Sequence, residues 1–385
     1  MAVILGERAT PRKFPVYSGS AMQNALADVE WDACVLEPRR DRELETYVRR
    51  GLGTVPSAIA YFTPVPWVVH SIAEMSPITA PMLHVDRVLA DLIGLVVSQD
   101  NSCRYCFGVQ RLMLRVHGLP DGRIRQLEQG FLDAEIDPRA KSALDFARRL
   151  SRASPPAAAS DTEALRAAGW RTEGIRELAF HAAFSVYMNR LMTVAAIPFA
   201  PVEGLADFRV IRFVAPVMRV VLRHREKRAR ERAALLPPAP SRGAWEYLVG
   251  ALDGLPAARA LRATLDAALA SPVLSKRAKA LVFAVVARGL DDPLAAGEAT
   301  LLLDQCGVTP ARAEPILTHL GSPELDPIEN ALIPFARGTI RGRPLQLQQR
   351  TRALLELLSP EQIIEAVAVS ALANAVARLG VMTEV

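Results

Sequence analysis

Aromatic side chains make up only 6% of this chain of 385 residues, and cysteine and histidine are scarcer still, at four and six. Four cysteines in a chain of this length exclude a disulfide framework, so stability has to come from ordinary apolar burial, which suits a reducing compartment. Runs that alternate apolar and polar residues are few, which argues against a sheet. No run of eighteen apolar residues stands out, and the start Met1–Arg8 has too short an apolar stretch for a signal peptide. The expectation is a cytoplasmic protein, neither exported nor membrane-spanning. An excess of one charge is also missing: 46 basic residues against 41 acidic leave a net +5, too little for a nucleic-acid surface. No Walker A loop is present and no GxGxxG follows a strand; no second CxxC, CxxH or HxxxH supplies the remaining ligands of a zinc site. Neither cofactor nor metal is expected.

What the chain does have is apolar content, 50% of its residues, in long Ala/Leu/Val/Arg-rich tracts at helical spacing. This is an all-α composition. The length exceeds the usual size of one core, so two domains are expected. Asp41–Arg50 reads as a short exposed helix ended by Gly51 and Gly53. Trp67–Met75 and Val85–Val97 carry the helical period, and after the stop Gly118-Leu119-Pro120 come helices near 121–130, 138–152, 160–168 and 173–195.

The chain then repeats. Asp137-Pro138 returns as Asp326-Pro327 and Phe146-Ala147-Arg148 as Phe335-Ala336-Arg337, each pair separated by 326 − 137 = 335 − 146 = 189 residues. Gly118 maps to Gly307 and Ile175 to Ile364 at the same offset. A constant shift implies duplication of one helical unit without net insertion. The expected organisation is an extension over 1–55, a first repeat over 56–200, a basic helical linker over 201–244 and a second repeat over 245–385. In the linker Phe208, Ile211, Ala215, Met218 and Leu222 form an apolar stripe, Arg209, Arg212, Arg219 and Arg223 lie off it, and Pro237–Pro240 ends it. It reads as a connecting helix packed on its own domains, with a lipid surface or an acidic partner as the alternative.

Chemistry concentrates at Ser98–Gln110, where Cys103 and Cys106 stand three residues apart at the mouth of a helix. That spacing puts both sulfurs on one face, with Gln110 one turn further along it, and a helix N-terminus favours a thiolate. A redox pair, two inert core cysteines and half a metal site are the readings open at this point. In the second repeat Asp292, Ala295 and Ala299 replace Cys103, Cys106 and Gln110, so that half is structural or regulatory.

The helix running into Val97-Ser98 and Asn101-Ser102-Cys103-Arg104-Tyr105-Cys106, with Leu165–Trp170, Ile175–His181 and Met188-Asn189-Arg190 as closing helices, resembles the carboxymuconolactone decarboxylase/alkyl hydroperoxidase D-like superfamily. The likeness covers most of 56–198 and, more faintly, 245–385. It implies an all-α oligomer of two tandem repeats here, and thiol peroxidase chemistry with a hydroperoxide as substrate and a thiol or protein as reductant. Cys106 would attack the peroxide and Cys103 resolve it. The family's glutamate twelve residues before the first cysteine is Asp91 here, shorter by about 1.5 Å. The family's histidine four residues after the second cysteine is Gln110, which cannot take up a proton. Asp91 and Gln110 are therefore expected to shape the thiols' surroundings, with His181, Tyr105 and Arg104 as accessory candidates. His117 lies about 16 Å along the helix from Cys106, out of direct reach, and His84 is two turns before Asp91. A redox sensor or scaffold and a thiol-independent lyase of the same superfamily remain as alternatives.

Overall fold

The computed structural model describes residues 25, 26, 28–131, 135–198, 210–235 and 243–384. Among these the chain forms seventeen α-helices and no strand, as the composition requires. In chain order they are α1 (Arg42–Leu52), α2 (Pro66–Glu74), α3 (Arg87–Asp100), α4 (Arg104–His117), α5 (Asp121–Gly130), α6 (Pro138–Arg152), α7 (Ala159–Ala167), α8 (Thr172–Val194), α9 (Val210–Ala233), α10 (Glu246–Ala251), α11 (Pro256–Ala270), α12 (Lys276–Leu290), α13 (Pro293–Gln305), α14 (Pro310–His319), α15 (Pro327–Gly338), α16 (Pro344–Ala353) and α17 (Pro360–Val376). Many open on proline, whose missing N–H costs nothing in the first turn. Asp41, Asp86, Asp137, Ser275, Asp292, Asp326 and Ser359 cap their helices through the side chain.

Helix boundaries recur along the chain. From α3 to α12 (276 − 87), α4 to α13 (293 − 104), α5 to α14 (310 − 121) and α6 to α15 (327 − 138) each start moves by 189 residues, and from α8 to α17 by 360 − 172 = 188. Local backbone follows. Ser102 and Asp291 are both left-handed, at φ 51° and 57°, and each is followed by a residue whose N–H reaches back to the carbonyl five residues earlier. This is the Schellman close of α3 and of α12, made without glycine.

The core is continuous across both halves. α8 packs on α17, and α2 on α11. Both α8 and α17 are buried nearly all round, and each uses one carboxylate to tie down a loop. Glu177 of α8 accepts the N–H groups of Leu83, His84 and Val85 at 2.6, 2.7 and 3.1 Å. Glu365 of α17 accepts the Leu274 N–H at 2.7 Å. It also meets Lys279 Nζ at 3.1 Å, with both side chains 0% exposed, and accepts from Trp67 Nε1 at 3.3 Å across the halves.

Two expectations need correction. The segment 360–383 is long and apolar enough to cross a membrane by length and composition, contrary to the reading that no such run exists; its most apolar eighteen-residue window is nevertheless wholly buried, as the central helix of a helical core is. Asp41–Arg50 is not simply exposed: Leu44, Val48 and Leu52 of α1 are buried, because their 4-residue spacing forms one apolar face that packs on α2.

In the linker, Phe208, Arg209 and Pro237–Pro240 lie outside the described residues, as do the side chains of Ile211 and Arg212. Ala215 is buried, Met218 and Leu222 are half-buried, and Arg219 Nε donates to the Val116 carbonyl at 3.0 Å, so α9 lies on α4. Its outer face carries Val214, Val217, Val220 and Val221, all exposed.

Candidate functional site

The turn between α3 and α4 is built by local rules. Asn101 closes α3, its Nδ2 donating to the Val97 carbonyl at 2.8 Å and to Ser151 Oγ of α6 at 2.9 Å. Ser102 reverses the chain, and the Cys103 N–H returns to the Ser98 carbonyl at 2.9 Å. Cys103 then becomes the N-cap of α4, its Sγ accepting the Cys106 N–H at 3.4 Å. At the matching position of the second half, Asp292 accepts the Ala295 N–H at 2.6 Å in the same role. The first cysteine thus does what an aspartate does elsewhere in the fold, with sulfur in place of a carboxylate.

No disulfide joins Cys103 and Cys106; both are thiols in the first turn of α4. Both are buried, Cys103 at 0% exposure and Cys106 at 7%. Cys34 and Cys306 are remote in sequence and chemically different. Burial pushes the Cys34 thiol up to about 11, and Cys34 Sγ donates to the Ala195 carbonyl at 3.1 Å; burial also raises Cys306.

α3 and α4 run antiparallel, and Gln110 lies over Gly94, where a Cβ would come within 2.5 Å of its Nε2. The Gln110 Oε1 is buried without a hydrogen-bond partner. Side chains lean toward the N-terminus of their own helix. On α4 that direction leads toward the thiols, so Gln110 is poised one turn from Cys106. On α3 it leads away from them, and Asp91 points to the far end of the helix pair. There its buried carboxylate meets Arg87 Nη2 at 3.2 Å and His117 Nε2 at 3.1 Å. Asp91 thus contacts Arg87 and His117, while Gln110 contacts Gly94, one turn further along α3. Asp91 belongs with the residue eleven positions past Cys106, about 16 Å along the axis.

His181 also sits at the Asp91 end. It is buried on α8, with Nε2 2.8 Å from the Ala90 carbonyl, and burial pushes its imidazole down to about 4. A neutral ring donating Nε2–H to that carbonyl fits both facts. His84 is exposed and contributes its backbone to Glu177. Tyr105 turns to Ser57 and the Ala58 backbone, and burial raises its phenol. Arg104 reaches the Val29 carbonyl at 3.4 Å.

No family model matches the chain. No curated protein is significantly similar to it either.

Arg190 of α8 is the residue near the thiols that residue-level reading passed over. It is 5% exposed, donates Nη2 to the Ile340 carbonyl at 2.7 Å, and lies within electrostatic range of Cys103; burial brings its guanidinium down to about 10. Its only sequence signal was an arginine near the end of a long apolar helix. Among the described residues, no group of three or more His, Cys, Asp or Glu could hold a metal ion.

Proposed function

We propose that the chain is a thiol-dependent oxidoreductase of the hydroperoxide-reducing kind, working through Cys106 and Cys103. The observation that carries this reading is the pair itself: two buried thiols at the start of one helix, the first capping it and the second within its first turn. Cys106 sulfur attacks the outer oxygen of a hydroperoxide, the O–O bond breaks, and the alcohol leaves with a proton while Cys106 becomes a sulfenic acid. Cys103 sulfur then attacks Cys106 sulfur, water departs and the disulfide forms. A dithiol reductant, small or protein, returns two electrons and two protons. Gln110 contributes a hydrogen-bonding amide but no base, so the proton leaves Cys106 without a relay.

The finer architecture belongs to the same proposal: two tandem alkyl hydroperoxidase D-like repeats, the second without thiols, in a cytoplasmic homo-oligomer. It is supported by the 189-residue recurrence of helix starts, the paired left-handed Ser102 and Asp291, and the paired loop ties of Glu177 and Glu365. Fusing the repeats converts one subunit contact into the internal α8–α17 contact.

A second reading is a thiol-independent lyase of the same superfamily. The contact between the buried Asp91 carboxylate and the half-buried His117, 3.1 Å apart, favours it, because a carboxylate beside an imidazole is the arrangement that general acid–base chemistry uses away from the cysteines.

The test is a stopped-flow titration of the reduced protein with an organic hydroperoxide, counting thiols and mapping disulfides by mass spectrometry. Loss of two thiols per chain with a Cys103–Cys106 bridge, much faster than free cysteine reacts, supports the peroxidase. A rate no faster than free cysteine removes it and leaves the lyase and sensor readings.

A further inference from the structure

The α8–α17 contact is apolar over most of its length, yet near its end it holds two buried guanidinium groups. Arg190 and Arg378 are each 5% exposed and stand at matching places, 378 − 190 = 188, the same shift that relates the starts of their helices. Their bonds are reciprocal. Arg190 donates Nη2 to the carbonyl of Ile340, and Arg378 donates Nε to the carbonyl of Ser151 at 3.2 Å, where 340 − 151 = 189. Arg378 also gives Nη1 to the Asn374 carbonyl and Oδ1 at 2.7 and 3.0 Å. The reciprocal bonds have the form of an internal two-fold relation, and the two guanidinium groups lie within electrostatic range of each other.

The charges are not balanced. Arg190 acts on Arg378, and so does the exposed Arg341, which donates to the Ala153 carbonyl at 2.8 Å. Among the described residues neither Arg190 nor Arg378 forms an ion pair with a carboxylate. Arg190 Nε and Arg378 Nη2 are buried donors without acceptors. Arginine does not shed its proton in proteins, and a buried unpaired charge is far costlier than a buried pair. Thr193 Oγ1, one turn beyond Arg190 on α8, is likewise buried without a partner. A negatively charged group with several acceptor atoms would satisfy these donors.

We propose that Arg190 and Arg378 form an anion-binding site at the junction of the two halves, taking one compact oxyanion: the phosphate or carboxylate group of a small molecule. Such a group offers several lone pairs to two planar donor forks, and tetrahedral or planar oxyanions suit a two-fold arrangement of arginines. Arg341 is the outer guide on the solvent side. The site explains why the second half is retained without thiols, since it supplies Arg378 and Arg341. It stands independently of the thiol chemistry, whose failure leaves it intact.

The experiment is isothermal titration of the full-length reduced protein with inorganic phosphate and, separately, with acetate, alongside thermal unfolding in each salt against sodium chloride at equal ionic strength. Saturable binding of either oxyanion, weakened at least about tenfold in Arg378→Met and severalfold in Arg341→Gln, is expected. Preference for phosphate or for acetate identifies the source of the oxyanion. Unfolding that follows ionic strength alone, with no saturable heat, overturns the site. So does unchanged affinity in the variants. Arg341 is exposed, so Arg341→Gln decides the matter even where Arg378→Met fails to fold.

Discussion

His117 Nε2 lies 3.1 Å from Asp91 Oδ2, and this pair occupies the opposite end of the α3–α4 contact from Cys103 and Cys106. The carboxylate at the expected sequence distance from the CxxC has Arg87 and His117 as its ion-pair neighbours. Asp91 leans along α3 away from the turn, as every side chain of a helix leans toward its N-terminus. Function follows from direction as much as from spacing.

Asp91→Asn is accordingly expected to leave the rate of thiol oxidation by hydroperoxide within about threefold of the parent, since catalytic contributions require contact or one intervening water. Stopped-flow oxidation of the variant checks this. A loss of about a hundredfold would place Asp91 in the thiol chemistry after all.

Replacing Gln110 by histidine puts an imidazole one turn from Cys106 on the side toward which α4 side chains lean. The peroxide rate should rise by about tenfold or more, below the roughly 10²–10⁴-fold of a fully positioned general base, and acquire a pH dependence near the histidine range. Gly94→Ala tests the same contact from the other side. A Cβ there meets the Gln110 amide, so the double variant with histidine should lose the gain.

Cys106→Ser should abolish peroxide-driven disulfide formation, whereas Cys103→Ser should still lose one thiol per chain and stop at the sulfenic acid. Trapping with a dimedone probe and mass spectrometry separates the two. Equal labelling of Cys103 in the first variant would reverse the assigned roles.

His181 makes stability depend on pH with a defined sign. Its folded-state value is pushed down to about 4 from an ordinary 6.5, so the unfolded chain binds the proton more tightly. The stabilisation is fully present above about pH 6.5 and is lost as pH falls from there to about 4, by roughly 3 kcal/mol in all. Arg87 opposes protonation and Asp91 favours it, but burial dominates. Urea unfolding across this range should lose that slope in His181→Phe.

Lys279 and Glu365 are both fully buried, and Glu365 also holds the Leu274 backbone and Trp67. Burial lowers the lysine's affinity for its proton while the carboxylate raises it. Lys279→Met leaves Glu365 charged and short of its cation, which should cost about 3–5 kcal/mol. Urea denaturation measures it; a cost below about 1 kcal/mol would mean Glu365 takes up a proton instead.

Much of the fold was readable because it is written locally. The helices at 121–130 and 138–152 fall where proline, aspartate and Gly118 mark their ends. The near-constant offset between halves reflects the same cues used twice. What was misread required partners: α1 has buried positions because α2 lies against it, and 360–383 is as apolar as a membrane span because other helices surround it.

The sequence by itself determined the helical class, the helix ends, the 189-residue recurrence and the placing of two cysteines in one turn, since each rests on contacts within a few residues. The tertiary structure alone decided which polar groups meet: His117 with Asp91, Lys279 with Glu365, and Arg190 beside Arg378. These pairs join residues from 26 to 188 positions apart. Their energies depend on burial and direction, which exist only once the helices have packed.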